Sequence, residues 1–175
     1  KCFSVLNGKA FDYWKTSIDS MTISELDHLD VTYQGTTYTL KRVVTEEKVE
    51  KDESEDADED TDEDSEDADD EEETKTVTTY YVNDQEADSD NFTAFYRAAA
   101  AMVCQSRLEE NTTKGDAELT LSYHGTDGSK IIISYIPRDS SFYVMEDQDG
   151  NCGLVNKMNV KDLIDTFLTL TEGEK

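Results

Sequence analysis

Along this chain the spacing of apolar residues switches several times between periods of two and three to four, and each switch marks an expected element. In Leu29-Asp30-Val31-Thr32-Tyr33 and again in Thr37-Tyr38-Thr39-Leu40-Lys41, every second side chain is apolar, which predicts two strands joined at Gln34-Gly35-Thr36 as a β-hairpin. Thr76-Val77-Thr78-Thr79-Tyr80-Tyr81-Val82 is rich in β-branched and aromatic residues and predicts another strand. From Asp90 the period becomes helical. Phe92, Phe95, Tyr96, Ala99, Met102 and Val103 share one face, which predicts a helix over 90–108 with Ser89 or Asp90 capping its first turn.

After a polar link at 111–115, Ala117, Leu119, Leu121 and Tyr123 alternate, and Gly125-Thr126-Asp127-Gly128 turns the chain into Ile131-Ile132-Ile133-Ser134-Tyr135-Ile136. Pro137, the only proline, cannot donate to a ladder and should end that strand. Phe142-Tyr143-Val144-Met145 then pairs with Gly153-Leu154-Val155, Asp149-Gly150-Asn151 supplying the positive φ angles of a tight turn. Asn159, with Asp162 three residues on, predicts the start of a last helix that buries Val160, Leu163, Ile164 and Phe167. Near the start, Phe11, Trp14, Ile18 and Met21 predict a short helix over 9–20 with Trp14 as a core anchor.

These elements specify an α+β fold, an antiparallel β-sheet with two main amphipathic helices, as a single domain over 1–175. Leu29-Asp30-Val31-Thr32-Tyr33-Gln34-Gly35 and Leu119-Thr120-Leu121-Ser122-Tyr123-His124-Gly125 match in type at nearly every position, each opening a hairpin. Two similar β-rich halves, 20–110 and 116–171, each closed by a helix, are therefore expected.

Charge changes the picture in one place. Of the 42 acidic and 16 basic residues, 20 acids and 2 lysines fall between residues 46 and 73, so this tract carries −18 of the formal −26. It has almost no apolar side chain larger than alanine to offset its ordering entropy, and 46–74 is expected to be a disordered, self-repelling insertion. Nucleic acid is excluded as a partner, because such binding draws its affinity from lysine and arginine displacing counterions. The tract should gather cations loosely. Neither it nor Glu146-Asp147-Gln148-Asp149-Gly150 has the spacing of a calcium loop.

Catalytic and metal motifs do not emerge. Cys2, Cys104 and Cys152 are too far apart for a zinc spacing or a redox pair, and Cys104 is expected to be buried within the helical pattern. His28 and His124 fall in separate strand-like stretches outside any nucleophile motif. No phosphate loop, GxSxG elbow or HExxH helix occurs, so no catalytic, cofactor or metal residues are assigned and a non-enzyme is expected. Tyr33, Tyr38, Tyr123, Tyr135 and Tyr143 fit a half-buried sheet face better than an exposed stacking stripe. Arg97 and Arg107 read as surface or salt-bridge residues, and the sequons at Asn91 and Asn111 as incidental.

The Val31-Thr32-Tyr33-x-Gly35 hairpin, the strands and helix that follow, and Ser141-Phe142-Tyr143-Val144-Met145 leading to Val160-Lys161-Asp162-Leu163-Ile164-Asp165-Thr166-Phe167 resemble a bacterial family catalogued as domain of unknown function 4340. The likeness covers residues 20–170 without the acidic tract, which departs from the family pattern. It implies a membrane-anchored extracytoplasmic protein, in some members encoded beside gliding-type transporter components, and carries no catalytic residues.

The chain has no apolar run of the roughly 20 residues a membrane helix needs, and it starts at Lys1 without an initiator methionine, so an excised piece is expected with any anchor outside it. The function expected is a non-catalytic binding or assembly module of the bacterial cell envelope, with a protein partner and an accessory role beside a transporter. The alternative is a calcium- or other cation-binding protein acting through the acidic tract.

Overall fold

The first hairpin forms where the period of two predicts it: β1 (Leu26–Tyr33) and β2 (Thr36–Lys48) pair antiparallel, and Gln34 and Gly35 take the two left-handed φ values, 49° and 82°, that a two-residue turn requires. The computed structural model describes residues 22–48 and 74–172. The expected helix over 9–20, Trp14, Cys2 and residues 49–73 of the acidic tract lie outside the described residues. The strands reach further into the tract's flanks than the charge pattern suggests, β2 running through Lys48 and β3 (Thr74–Val82) starting at Thr74.

A short strand, β4 (Gln85–Ala87), follows β3 through Asn83 and Asp84, both left-handed at 48° and 68°. Asn83 tolerates this because its amide oxygen accepts the Thr39 backbone N–H at 2.9 Å while its own N–H donates to the Thr39 carbonyl. Then comes α1 (Ser89–Ala100), which buries Phe92, Phe95, Tyr96 and Ala99. Its cap is Asp88, one residue earlier than expected, whose carboxylate accepts the Asn91 N–H at 2.9 Å.

The helix stops well before the expected 108. Beyond Ala101, Met102 and Cys104 are buried while Val103 and Gln105 are exposed, a period of two that leads into β5 (Ser106–Leu108). Met102 thus joins the core from extended chain, and Val103, expected on the buried helical face, is 44% exposed.

The second series is β6 (Leu119–Gly125), β7 (Lys130–Pro137), β8 (Phe142–Asp147) and β9 (Cys152–Asn156), followed by α2 (Lys157–Glu172). Pro137 ends β7 as expected. At the β8–β9 turn only Gly150 has positive φ, at 81°; Asp147 builds the rest, its Oδ1 accepting the N–H groups of Asp149 and Asn151 at 2.9 Å. Asn156 replaces Asn159 at the start of α2, since its side chain accepts the Met158 N–H at 2.8 Å and the helix continues directly from the strand. The apolar side of α2 is buried as predicted, at Val160, Leu163, Ile164 and Phe167.

All nine strands join one sheet in the order β4-β3-β2-β1-β6-β7-β8-β9-β5. The α+β class is thereby realised, with a mostly antiparallel sheet and two helices. By compactness the described residues divide into two units, 22–42 with 79–172, and 43–48 with 74–78. In the second, the described residues continue β2 and β3; Thr45 Oγ1 donates to the Val77 carbonyl at 3.5 Å, and Val43 and Val44 are exposed.

In the first unit, one sheet face packs against both helices. Leu29, Val31, Leu40, Leu119, Leu121, Tyr123 and Tyr135 are essentially inaccessible there, each such side chain contributing on the order of 1.5–3 kcal/mol of burial. On the opposite face Ile136, Val144 and Cys152 form a smaller cluster with Leu108 and Leu154. In the link from β5 to β6, Asn111 Nδ2 donates to Glu146 Oε2 of β8 at 2.6 Å.

Candidate functional site

The alternation that sends Leu29, Val31, Leu121 and Tyr123 into the core sends their neighbours to the other face, and the ladder registers line these up in rows across β2, β1, β6 and β7. One row is Thr37, Thr32, Thr120 and Ser134; the next is Thr39, Asp30, Ser122 and Ile132; the third is Lys41, His28, His124 and Lys130. None of the twelve is buried. Hydroxyl pairs tie the first row together, Thr32 to Thr37 at 2.8 Å and Thr120 to Ser134 at 3.4 Å.

The third row brings together the only two histidines of the chain. His28 and His124 are direct cross-strand neighbours, their rings stacked 4.1 Å apart with planes 13° from parallel. Asp30 is two residues along β1 from His28 and so on the same face. Its Oδ1 accepts a hydrogen bond from Thr39 Oγ1 at 2.7 Å, and its Oδ2 is 3.3 Å from His124 Nε2 and 3.9 Å from His28 Nε2. Asp27 Oδ2 is 2.6 Å from His28 Nδ1, a contact that fixes the ring and directs Nε2 toward Asp30.

His124 Nε2 is itself buried and makes no well-formed hydrogen bond, Asp30 Oδ2 at 3.3 Å being its near acceptor. Burial holds His124 below the ordinary imidazole range, assisted by the neighbouring His28 and Lys130 and opposed by Asp30. His28, Asp30 and His124 retain 27%, 30% and 25% of side-chain exposure, although His124 Nε2 itself is covered. Chemically, the group offers two ring nitrogens and one carboxylate oxygen, all within 4.8 Å of one another.

The residues singled out in the sequence are placed elsewhere. Tyr123, Tyr135 and Tyr143 are buried and Tyr33 and Tyr38 half-buried against the core, so the five form a core face. Cys104 and Cys152 are free, buried thiols; burial pushes Cys104 up to about 11 and raises Cys152 as well, which leaves little thiolate at neutral pH. The Asp147 carboxylate is occupied by the N–H groups of its own turn and by Asn151 Nδ2.

Sequence reasoning placed both histidines in strands without joining them. The available signal was parity: His28 and Asp30 flank the inward Leu29, and His124 follows the inward Tyr123, so all three point outward. No protein-family model matches this chain, and neither the curated proteins nor the solved structures contain a match to it.

Proposed function

We propose that this chain is a non-catalytic binding or assembly module of a bacterial cell envelope, which presents the open face of its sheet to a protein partner beside a transporter. The observation that carries the reading is the contrast between the two faces around β1 and β6. One is apolar and covered by both helices, while the other is an ordered array of hydroxyl, imidazole and carboxylate side chains with none buried. The non-enzymatic role belongs to the same proposal, and the burial that keeps the Cys104 and Cys152 thiols protonated sets these two aside as nucleophiles.

The extracytoplasmic position, with membrane attachment in the full-length protein, belongs to the same proposal and draws its support from the resemblance to domain of unknown function 4340. Among the described residues no helix is long and apolar enough to cross a membrane. The 46–73 tract, with its −18 charge, serves in this reading as a spacer that holds cations loosely. The two-halves expectation is carried forward here too: four strands and a helix, β1 to β4 with α1, are followed by four strands and a helix, β6 to β9 with α2.

A photo-crosslinking side chain at Thr32 or Ser122, compared with one at Lys161 or Asp165 on the exposed side of α2, tests the binding face in the native cell. A discrete adduct from the sheet positions alone is expected. Equal labelling from both surfaces, or none from the sheet, would overturn the assignment.

A further inference from the structure

We propose that His28, Asp30 and His124 form a site for a divalent transition-metal ion, bound by Nε2 of each imidazole and Oδ2 of the carboxylate. The inference goes beyond the partner-binding reading and does not depend on it.

The donor set decides the class of ion. Two imidazoles and one carboxylate suit zinc, cobalt, nickel, copper or iron, whereas calcium and magnesium prefer all-oxygen shells. Spacing agrees with that choice. Bonds of about 2.0–2.1 Å to a tetrahedral ion set neighbouring ligand atoms about 3.3 Å apart. Asp30 Oδ2 lies 3.3 Å from His124 Nε2 and 3.9 Å from His28 Nε2, and the three donor atoms lie within 4.8 Å of one another, so closure on an ion requires small shifts along the carboxylate edges and an approach of the two imidazole nitrogens.

Two further features favour an ion at this point. His124 Nε2 is a buried nitrogen that makes no well-formed hydrogen bond although Asp30 Oδ2 is 3.3 Å away, and an ion between the two would satisfy both. The groups behind the donors are also held: Asp27 engages His28 Nδ1 and Thr39 engages Asp30 Oδ1, which leaves His28 Nε2 and Asp30 Oδ2 available to an ion. Lys130 beside His124 and Lys41 beside His28 oppose a cation, but Lys41 is paired with Asp84 at 3.4 Å, and Asp27 and Asp30 place two negative charges at the site. Because the rings stand parallel, one imidazole must turn about its Cβ–Cγ bond for both lone pairs to converge, and the stack opens when the ion enters. Three protein donors leave a fourth position for water or for a side chain of a partner.

The test is a zinc titration of the full chain by calorimetry and imidazole 15N NMR, in excess calcium so that the acidic tract is already occupied. One saturable equivalent is expected, with the Nε2 resonances of both histidines shifting together. Affinity should fall at least tenfold in Asp30→Asn, which keeps the Thr39 hydrogen bond, and in His124→Gln, and should be unchanged in Lys161→Gln. No saturable equivalent under these conditions overturns the proposal. So does undiminished affinity in folded Asp30→Asn, which would assign the zinc to the tract or to Cys2.

Discussion

Replacing Phe167 tests whether α2 is held on the sheet by an aromatic cluster. The ring is fully buried, and its centroid lies 5.2 Å from Tyr38, 5.5 Å from Phe95 and 6.1 Å from Tyr33, so one side chain of α2 joins the first hairpin to α1. Truncation to alanine removes its burial and leaves a cavity among three rings, for which about 3–5 kcal/mol is the usual cost. Leucine refills much of the volume but loses edge-to-face pairs worth about 0.5–1.5 kcal/mol each, so Phe167→Leu should cost about 2 kcal/mol. At about 4 °C per kcal/mol for a domain of this size, the melting temperature should fall by about 15 °C for alanine and half that for leucine. Urea unfolding followed by circular dichroism reads both variants. A loss under about 1 kcal/mol in Phe167→Ala, with an unchanged slope, would mean that α2 does not anchor there.

Three other outcomes follow from the packing. Gly153→Ala should destabilise by about 1–3 kcal/mol, because a Cβ there would meet Cys104 Sγ at 2.6 Å and the Ser106 carbonyl oxygen at 2.9 Å; since the latter is backbone, adding Cys104→Ala should recover only part of the loss, and full recovery in urea unfolding would contradict this. Tyr135→Phe should leave stability unchanged or raise it by about 1 kcal/mol, since the Tyr135 hydroxyl is buried without a hydrogen-bond partner, and a clear loss in thermal unfolding would imply a partner at that oxygen. Burial pushes Tyr96 and Tyr143 up to about 12, so the folded state keeps protons that unfolded phenols release near 10; stability is intact below that pH and declines between about 10 and 12, and a constant urea midpoint across that interval would refute the burial of these rings.

What the sequence reveals and hides follows the range of the interactions concerned. The first hairpin was legible because its strands alternate and Gln34-Gly35 sits where left-handed residues are needed. The apolar faces of both helices were legible from side chains three and four apart. The end of α1 was not, because Ala98-Ala99-Ala100-Ala101 favours helix and Met102 and Val103 continue the spacing; the chain leaves the helix so that Met102 and Cys104 enter the core from extended backbone. Cys104 then lies close against Gly153, a contact between residues far apart in sequence. Strand β4 was hidden for a different reason, since Gln85-Glu86-Ala87 has no pattern and its direction depends on the Asn83 side chain bonding to Thr39.

The histidine pair depends on a ladder register between strands about ninety residues apart, which no local pattern encodes. Leu29 faces Tyr123 and Tyr33 faces Leu119 across β1 and β6, while the heptapeptide match equates Leu29 with Leu119 and Tyr33 with Tyr123. A local twofold axis through the Val31–Leu121 pair satisfies both relations at once. That axis carries His28 onto Glu118 and His124 onto Gln34, and the Gln34 N–H does meet the Glu118 carbonyl, at 3.3 Å. It carries Asp30 onto Thr120. The two ends of the seam are thus alike in backbone and different in chemistry, with imidazoles and a carboxylate oxygen converging only at the His28 end. The register alone does not account for both histidines of the chain facing one carboxylate. If that end binds an ion, Gln34→Ala at the opposite end of the same seam should leave zinc affinity untouched.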